Sequence, residues 1–236
     1  MLIVVDRHTD EDLELWDALE KADFSHAVPG WKVIEARRAI QSFAADGPCW
    51  CGVSCGKDSV VLASLVAAVA PDVPLVWIRP RRATPYGDIV RQILEPILGQ
   101  SILVLDEPEG ANWENWGDGI PIANHRFGPR AIHGVRAEES SIRQLSAGKH
   151  GVITQRFCRP LLHWSARDIF AWLAQHHLPV HPNYAMLGGG RWNRERIRVG
   201  SIGGPRGRGI GRAEWEQEYY GDVLRRIEAG CYSPSG

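Results

Sequence analysis

Gly52-Val53-Ser54-Cys55-Gly56-Lys57-Asp58-Ser59 lies between an apolar run that reads as a strand and an apolar run that reads as a helix. In such a strand-loop-helix turn, the free backbone N–H groups of the loop and the positive end of the helix dipole converge on one spot. An anion fits there. Gly56 lets the backbone approach a ligand, Ser54 and Ser59 offer hydroxyl donors, and Lys57 adds a charge. The dipole contributes ~0.3–2 kcal/mol and each hydrogen bond to a charged group ~1.5–3 kcal/mol, so several together suffice for micromolar phosphate binding. The spacing is not that of a Walker A loop, Gly-x-x-x-x-Gly-Lys-Ser/Thr. On these residues alone, a glycine-containing turn with an incidental lysine remains the alternative.

The flanking pattern sets the fold class. Cys49–Ser54, Pro74–Ile78, Ser101–Leu105, Ala131–Val135 and Val152–Phe157 read as strands, with helices expected over Ser59–Val69, Gly87–Leu98 and Glu138–Ser146. This alternation implies right-handed βαβ units and an α/β fold built on a parallel, five-stranded, doubly wound sheet. Upstream, Thr9 and Asp12 resemble a capping box before Leu13, Trp16 and Leu19, and a second helix is expected over Trp31–Ala45. Ser165 caps a helix over Ala166–His176 that Leu178-Pro179 ends. Residues 187–212 hold nine glycines and Pro205 and read as a mobile loop, followed by a last helix over Ala213–Ile227. The expected organisation is a helical extension (1–46), an α/β domain carrying the loop (47–186) and a basic loop with its helix (187–236).

With 236 residues and 44 % hydrophobic composition, the chain can bury one good core with appended pieces. Its net charge of −1 excludes a general polycation, but the average hides an asymmetry. The first 22 residues carry seven acids, whereas residues 190–212 carry seven arginines against Glu195. Such a stretch can meet phosphates. The longest mainly apolar run, Val60–Ala70, is 11 residues, about half of what a bilayer needs. Met1-Leu2-Ile3-Val4-Val5-Asp6 reads as neither a secretory signal nor a transit peptide. Five cysteines (49, 51, 55, 158, 231) are too few and too unevenly placed for a disulfide framework, so a reducing cytoplasm is expected.

Ser54–Ser59 resembles the Ser-Gly-Gly-Lys-Asp-Ser motif of the PP-loop adenine-nucleotide α-hydrolases, with Cys55 where that motif has its first glycine. The group includes ATP pyrophosphatases, tRNA thiolation enzymes and phosphoadenylylsulfate (PAPS) reductases. Three further stretches resemble the PAPS reductase-like branch. His133-Gly134-Val135-Arg136-Ala137-Glu138-Glu139-Ser140, with Arg143, is similar to Gly-Ile-Arg-Ala-x-Glu-Ser. Pro160-Leu161-Leu162-His163-Trp164-Ser165-Ala166-Arg167-Asp168-Ile169 is similar to Pro-Leu-x-x-Trp-x-x-x-Asp-Val/Ile, and His177–Tyr184 to His-x-Leu-Pro-x-x-Pro-x-Tyr. The resemblance implies an adenine nucleotide, ATP or PAPS, held by Ser54, Cys55, Gly56, Lys57, Asp58, Ser59, Gly134, Arg136, Glu139, Ser140 and Arg143. Lys57, Asp58 and Arg136 are the implied catalytic set. A guanidinium such as that of Arg136 grips two oxygens of a phosphate or sulfate, although an ion pair with Glu138 or Glu139 is its alternative. Asp58 is a candidate Mg²⁺ contact, or a helix cap.

The resemblance breaks at residues that decide chemistry. Reductases of this branch attack with a cysteine in a C-terminal Glu-Cys-Gly-x-His motif; here Cys231 stands in Gly230-Cys231-Tyr232 without those neighbours. Arg198-Val199-Gly200-Ser201-Ile202-Gly203-Gly204-Pro205 resembles Arg-x-Gly-Cys-x-x-Cys-Pro with Ser201 and Gly204 at the cysteine positions, so no iron–sulfur cluster is expected. Cys49 and Cys51 read as strand packing, and Trp113 and Trp116 as surface-loop packing. After the second strand, Arg79, Arg81 and Arg82 stand on the expected ligand side, where they would meet a 3′-phosphate or a nucleic-acid backbone.

Three functions remain open. The first is an ATP pyrophosphatase that activates an acceptor for sulfur transfer, as in tRNA thiolation or DNA phosphorothioation, with Arg191, Arg194, Arg196, Arg198, Arg206 and Arg208 contacting nucleic acid. Sulfur-transfer proteins would be its other partners. The second is a PAPS or adenylylsulfate reductase that uses Cys231. The third is a nucleotide-binding module without chemistry.

Overall fold

The Thr9 hydroxyl accepts from the Asp12 amide at 3.1 Å and the Asp12 carboxylate accepts from the Thr9 amide at 3.4 Å, which starts α1 (Asp10–Phe24). The computed structural model describes residues 1–113, 116–203 and 211–232. After α2 (Gly30–Ala45) the chain enters five short parallel strands: β1 (Trp50–Gly52), β2 (Leu75–Arg79), β3 (Ile102–Asp106), β4 (Ala131–Ile132) and β5 (Phe157–Cys158). Between them run α3 (Lys57–Val69), α4 (Gly87–Leu98), α5 (Ile120–Phe127) and α6 (Ser141–His150), and α7 (Ala166–Gln175) and α8 (Arg212–Glu228) follow.

The strand order is β3-β2-β1-β4-β5. Cys51 pairs with Leu75 of β2 on one side and with Ile132 of β4 on the other. The order therefore reverses between β1 and β4, and the carboxyl ends of those strands open the crevice where ligands of such sheets sit. Alternation divides the core. Cys51, Leu75, Trp77, Ile132 and Cys158 pack with Ala36, Val60, Val90 and Ile169 from the helices on one face. Trp50, Val76, Ile78 and Ala131 pack with Ala123 of α5 on the other. Helices thus cover both faces, the α/β class expected.

Several expected elements differ. The fifth strand was expected to begin at Val152, but Thr154 folds that stretch back: its hydroxyl accepts from the Phe157 amide at 3.0 Å, and Ile153 bridges Cys158 antiparallel. The helix expected over 138–146 divides into a 3-10 turn, Ala137–Glu139, and α6, because the Ser140 hydroxyl caps a new start by accepting from Arg143 N at 3.3 Å. Neither α5 nor the 3-10 turn before it, Trp116–Gly119, was anticipated. The stretch after 187 is also more than a mobile loop. Leu187, Ile197 and Ile202 are buried, and Asp12 accepts from the Leu187 amide at 2.9 Å. Arg206, Arg208 and Gly204 lie outside the described residues.

Candidate functional site

Gly56 is the N-cap of α3, so the loop after β1 delivers its amides at a helix N-terminus, where the first N–H groups have no intrahelical partner. Ser59 holds the loop's shape: its hydroxyl accepts from the Ser54 amide at 3.0 Å and donates to the Gly56 carbonyl at 2.9 Å. The Lys57 amide donates to the Tyr184 hydroxyl at 3.1 Å. Among the described residues the Cys55 and Gly56 amides have no such partner. A Cβ on Gly56 would come 3.1 Å from the Tyr184 hydroxyl, a tight approach that the tyrosine would have to yield to by a few tenths of an ångström. Cys55 has φ 58, the left-handed conformation that favours glycine. Its thiol is buried, and burial, then Asp88, pushes its pKa up. It does not line the cavity above the loop.

Charge is concentrated at this point. Lys57, only 3 % exposed, places Nζ 3.2 Å from Asp58 Oδ2 and 5.0 Å over the Tyr184 ring. Arg136, 2 % exposed, donates from Nε to Asp58 Oδ1 at 2.5 Å and also pairs with Glu138. Arg136 therefore stands behind the cavity wall and buttresses Asp58. The guanidiniums of the lining belong to Arg143 and Arg198. Burial lowers the pKa of Arg143, and Arg198 lowers it further, while Asp58 opposes them. An anion between the two arginines would relieve that repulsion. Glu139 pairs with Arg143 and accepts from the Arg136 amide at 3.1 Å.

The cavity holds about 240 Å³ and has two ends. Ser54, Gly56, Lys57, Arg143 and Arg198 make the cationic end, whereas Trp50, Val76, Ile78, Trp116 and His133 make an apolar one. Segment 198–203 borders the cavity and is tied to residues 82–84. The Thr84 amide donates to the Gly200 carbonyl at 2.7 Å, the Gly200 amide donates to the Thr84 hydroxyl at 2.8 Å, and Ala83 bridges Ser201 antiparallel. Ser201 itself lines the cavity. The Tyr232 hydroxyl donates to the Ala83 carbonyl at 2.7 Å, which anchors the chain next to Cys231 at the same rim.

Other expected residues have different surroundings. Arg79 is committed to Asp106 at 2.5 Å and Asp88 at 2.6 Å, so it does not line the cavity. Gly134 does line it, and a Cβ there would approach the Asp58 carbonyl to 3.2 Å. Ser140 serves as the cap of α6. Arg194 is buried against Asp23 at 2.7 Å and stacked 4.1 Å over Phe170, which removes it from contact with a polyanion. Arg191 pairs with Glu218 at 3.4 Å, and Arg196 is exposed. Arg198, assigned from sequence to nucleic acid, is exposed and also lines the cavity. So does Trp116, assigned to loop packing, together with His133; the one local signal for His133 was its place just before Gly134-Val135-Arg136.

Cys231 is exposed, with Sγ 3.4 Å from the Ala229 carbonyl. Cys49, Cys51 and Cys158 are buried, and burial raises each thiol's pKa, as suits packing rather than reaction. Among the described residues no group of three or more His, Cys, Asp or Glu side chains could hold a metal ion. Both Asp58 oxygens are committed, to Arg136 and Lys57, so these residues do not fit a protein-held Mg²⁺. No helix among the described residues is long and apolar enough to cross a membrane.

Residues 48–189 match the family described as "Phosphoadenosine phosphosulfate reductase domain". A phosphoadenosine 5′-phosphosulfate reductase of Xylella fastidiosa (strain 9a5c) is 25 % identical over 196 residues, 71 % of this chain and 77 % of that protein. The crystal structure of a PAPS reductase from Candida auris, a phosphate complex, superposes with a TM-score of 0.54 at 13 % identity. That superposition covers 86 % of this chain and 98 % of the other, and it speaks for the fold.

Proposed function

The chain belongs to the phosphoadenosine phosphosulfate reductase domain family, a branch of the PP-loop nucleotide enzymes; from that premise we propose that it is an ATP pyrophosphatase, converting ATP to AMP and pyrophosphate while activating an acceptor for sulfur transfer. The observation that carries this reading is the cationic end of the cavity: a helix N-terminus, buried Lys57, and Arg143 with Arg198 beyond it. That arrangement suits a tail of more than one phosphate.

In this mechanism an acceptor oxygen attacks the α-phosphorus and the acceptor becomes adenylated; AMP leaves afterwards, when the sulfur nucleophile of the transfer step displaces it from the acceptor. The α,β-anhydride bond breaks, and pyrophosphate leaves with the bonding electron pair. The Cys55 and Gly56 amides, the α3 dipole and Lys57 hold the leaving pyrophosphate, and Arg143 and Arg198 neutralise the charge that develops on it. Asp58, braced by Arg136, keeps the Lys57 ammonium in place. Exposed Arg196 and the basic character of residues 190–212 favour a nucleic acid as acceptor, held by its phosphates and hence salt-sensitive. Residues 47–186 form the nucleotide-binding domain in this reading, and 1–46 and 187–236 are its extensions.

One observation favours a second reading, a sulfonucleotide reductase. The Tyr232–Ala83 hydrogen bond brings the neighbour of Cys231 to the cavity rim, within reach of a nucleophile's role. Purified protein given ATP–Mg²⁺, and separately PAPS with reduced thioredoxin, distinguishes the two. Pyrophosphate release supports the first reading and sulfite release the second. Saturable binding without turnover reduces the protein to a nucleotide-binding module. Lys57→Ala removes either activity, whereas Cys231→Ser abolishes sulfite release alone.

A further inference from the structure

The apolar end of the cavity is built around an imidazole. Trp50 is fixed by a hydrogen bond from its Nε1 to Asn124 Oδ1 at 3.1 Å. His133 stands edge-on to that indole, with centroids 5.5 Å apart at 85°. Trp116 at 5.4 Å and Phe157 at 5.7 Å, both partly exposed, flank the ring on its other sides. Gly52 makes room for the ring, since a Cβ there would lie 3.0 Å from His133 Nδ1. Trp50, Gly52, Trp116 and His133 all line the same cavity as the phosphate loop.

Aromatic and aliphatic side chains alone would bury a planar ring without distinguishing one ring from another. An imidazole adds one donor and one acceptor. Among the described residues the ring nitrogens of His133 have no hydrogen-bond partner, and burial lowers its pKa to about 4. The ring is therefore neutral near neutral pH, able to donate from one nitrogen and to accept at the other. It brings no charge into the apolar end.

We propose that His133 is the specificity-determining residue for the base: it hydrogen-bonds the edge of the purine whose phosphate tail lies on Ser54–Ser59, while Trp50 and Trp116 flank the ring. This rests on the nucleotide reading given above and adds to it the group that distinguishes adenine from other bases. A base that cannot satisfy the imidazole leaves a desolvated polar group, which weakens binding about ten- to a hundredfold.

Calorimetry of the full chain with ATP, GTP and inorganic pyrophosphate tests the assignment. His133→Phe is expected to lose about ten- to a hundredfold in ATP affinity, to narrow the ATP-over-GTP preference, and to bind pyrophosphate as before. His133→Asn, which keeps a donor and an acceptor, is expected to retain part of the ATP affinity. In wild-type protein with labelled histidine, the His133 nitrogen resonances are expected to move with ATP and to stay with pyrophosphate, a readout that needs no destabilising variant. Unchanged ATP affinity in His133→Phe, a parallel loss of pyrophosphate binding, or static resonances would overturn the assignment. Wild-type protein that binds pyrophosphate but not ATP refutes the base site and leaves the anion site standing. Protein that binds neither removes the nucleotide reading itself.

Discussion

Asp58→Asn isolates the electrostatic argument best, because one carboxylate holds two buried cations. Its oxygens lie 3.2 Å from the Lys57 ammonium and 2.5 Å from the Arg136 guanidinium, and those side chains are 3 % and 2 % exposed. Removing one partner of a buried ion pair costs about 3–5 kcal/mol. Arg136 keeps Glu138, and Asp58 itself is 18 % exposed, so the lower figure applies here, about 3 kcal/mol. For a chain of this size each kcal/mol moves the melting temperature by about 2–4 °C, giving a drop of about 6–12 °C. Pyrophosphate supplies the missing negative charge. A ligand at a hundred times its Kd stabilises by about 2.7 kcal/mol, so the variant should gain at least as much as wild type and, with its cations unpaired, more. Thermal melts with and without pyrophosphate read both quantities. A variant that melts within 2 °C of wild type, or gains less from pyrophosphate than wild type does, refutes the view that Asp58 balances the buried Lys57 and Arg136 and that an anion beside Lys57 can take over that charge.

Arg194→Met should destabilise the protein by about 3–5 kcal/mol through stranded Asp23 and leave nucleotide affinity unchanged, as melting and calorimetry would report. Under the nucleic-acid proposal, Arg196→Ala should lower the slope of log affinity against log salt by about one. Thr84→Val removes the hydroxyl that accepts from Gly200, so segment 198–203 should be held less firmly against the cavity and nucleotide should dissociate several-fold faster in stopped-flow traces. Burial alone would raise the pKa of Asp168, but hydrogen bonds from Lys32, Ser165 and His26 hold it at about 2, below its ordinary 3.8. Because the folded pKa is the lower one, the stabilisation of about 2 kcal/mol is present above pH 3.8 and fades as pH falls through 2. Acid titration of Asp168→Asn should show that component missing.

What could be read in the chain is what short-range spacing encodes. Thr9 and Asp12, or Ser165 and Asp168, are three residues apart and meet within a single turn, so both caps were visible. The loop was visible for the same reason, and the positive φ of Cys55 accounts for the glycine that the resembling motif carries there. Partners distant in sequence were not visible. Arg136 and Asp58 are 78 residues apart and Arg194 and Asp23 171 apart, and only the fold brings them together. That is why Arg136 looked like a ligand clamp and Arg194 like a nucleic-acid contact. The helix α5 was not anticipated; it carries Pro121 in its first turn, where a helix tolerates proline. The apolar end was missed because Trp50, Trp116 and His133 come from separate segments and meet only at the carboxyl ends of the strands.

Calorimetric titration of wild type and Lys57→Ala with ATP and with pyrophosphate reaches the central claim directly, that the amides and ammonium group at the start of α3 hold a phosphate tail. The account predicts one saturable site of micromolar affinity for each ligand in wild type, weakened at least tenfold by the substitution. Equal binding by the two proteins, or no heat with either ligand, would contradict it.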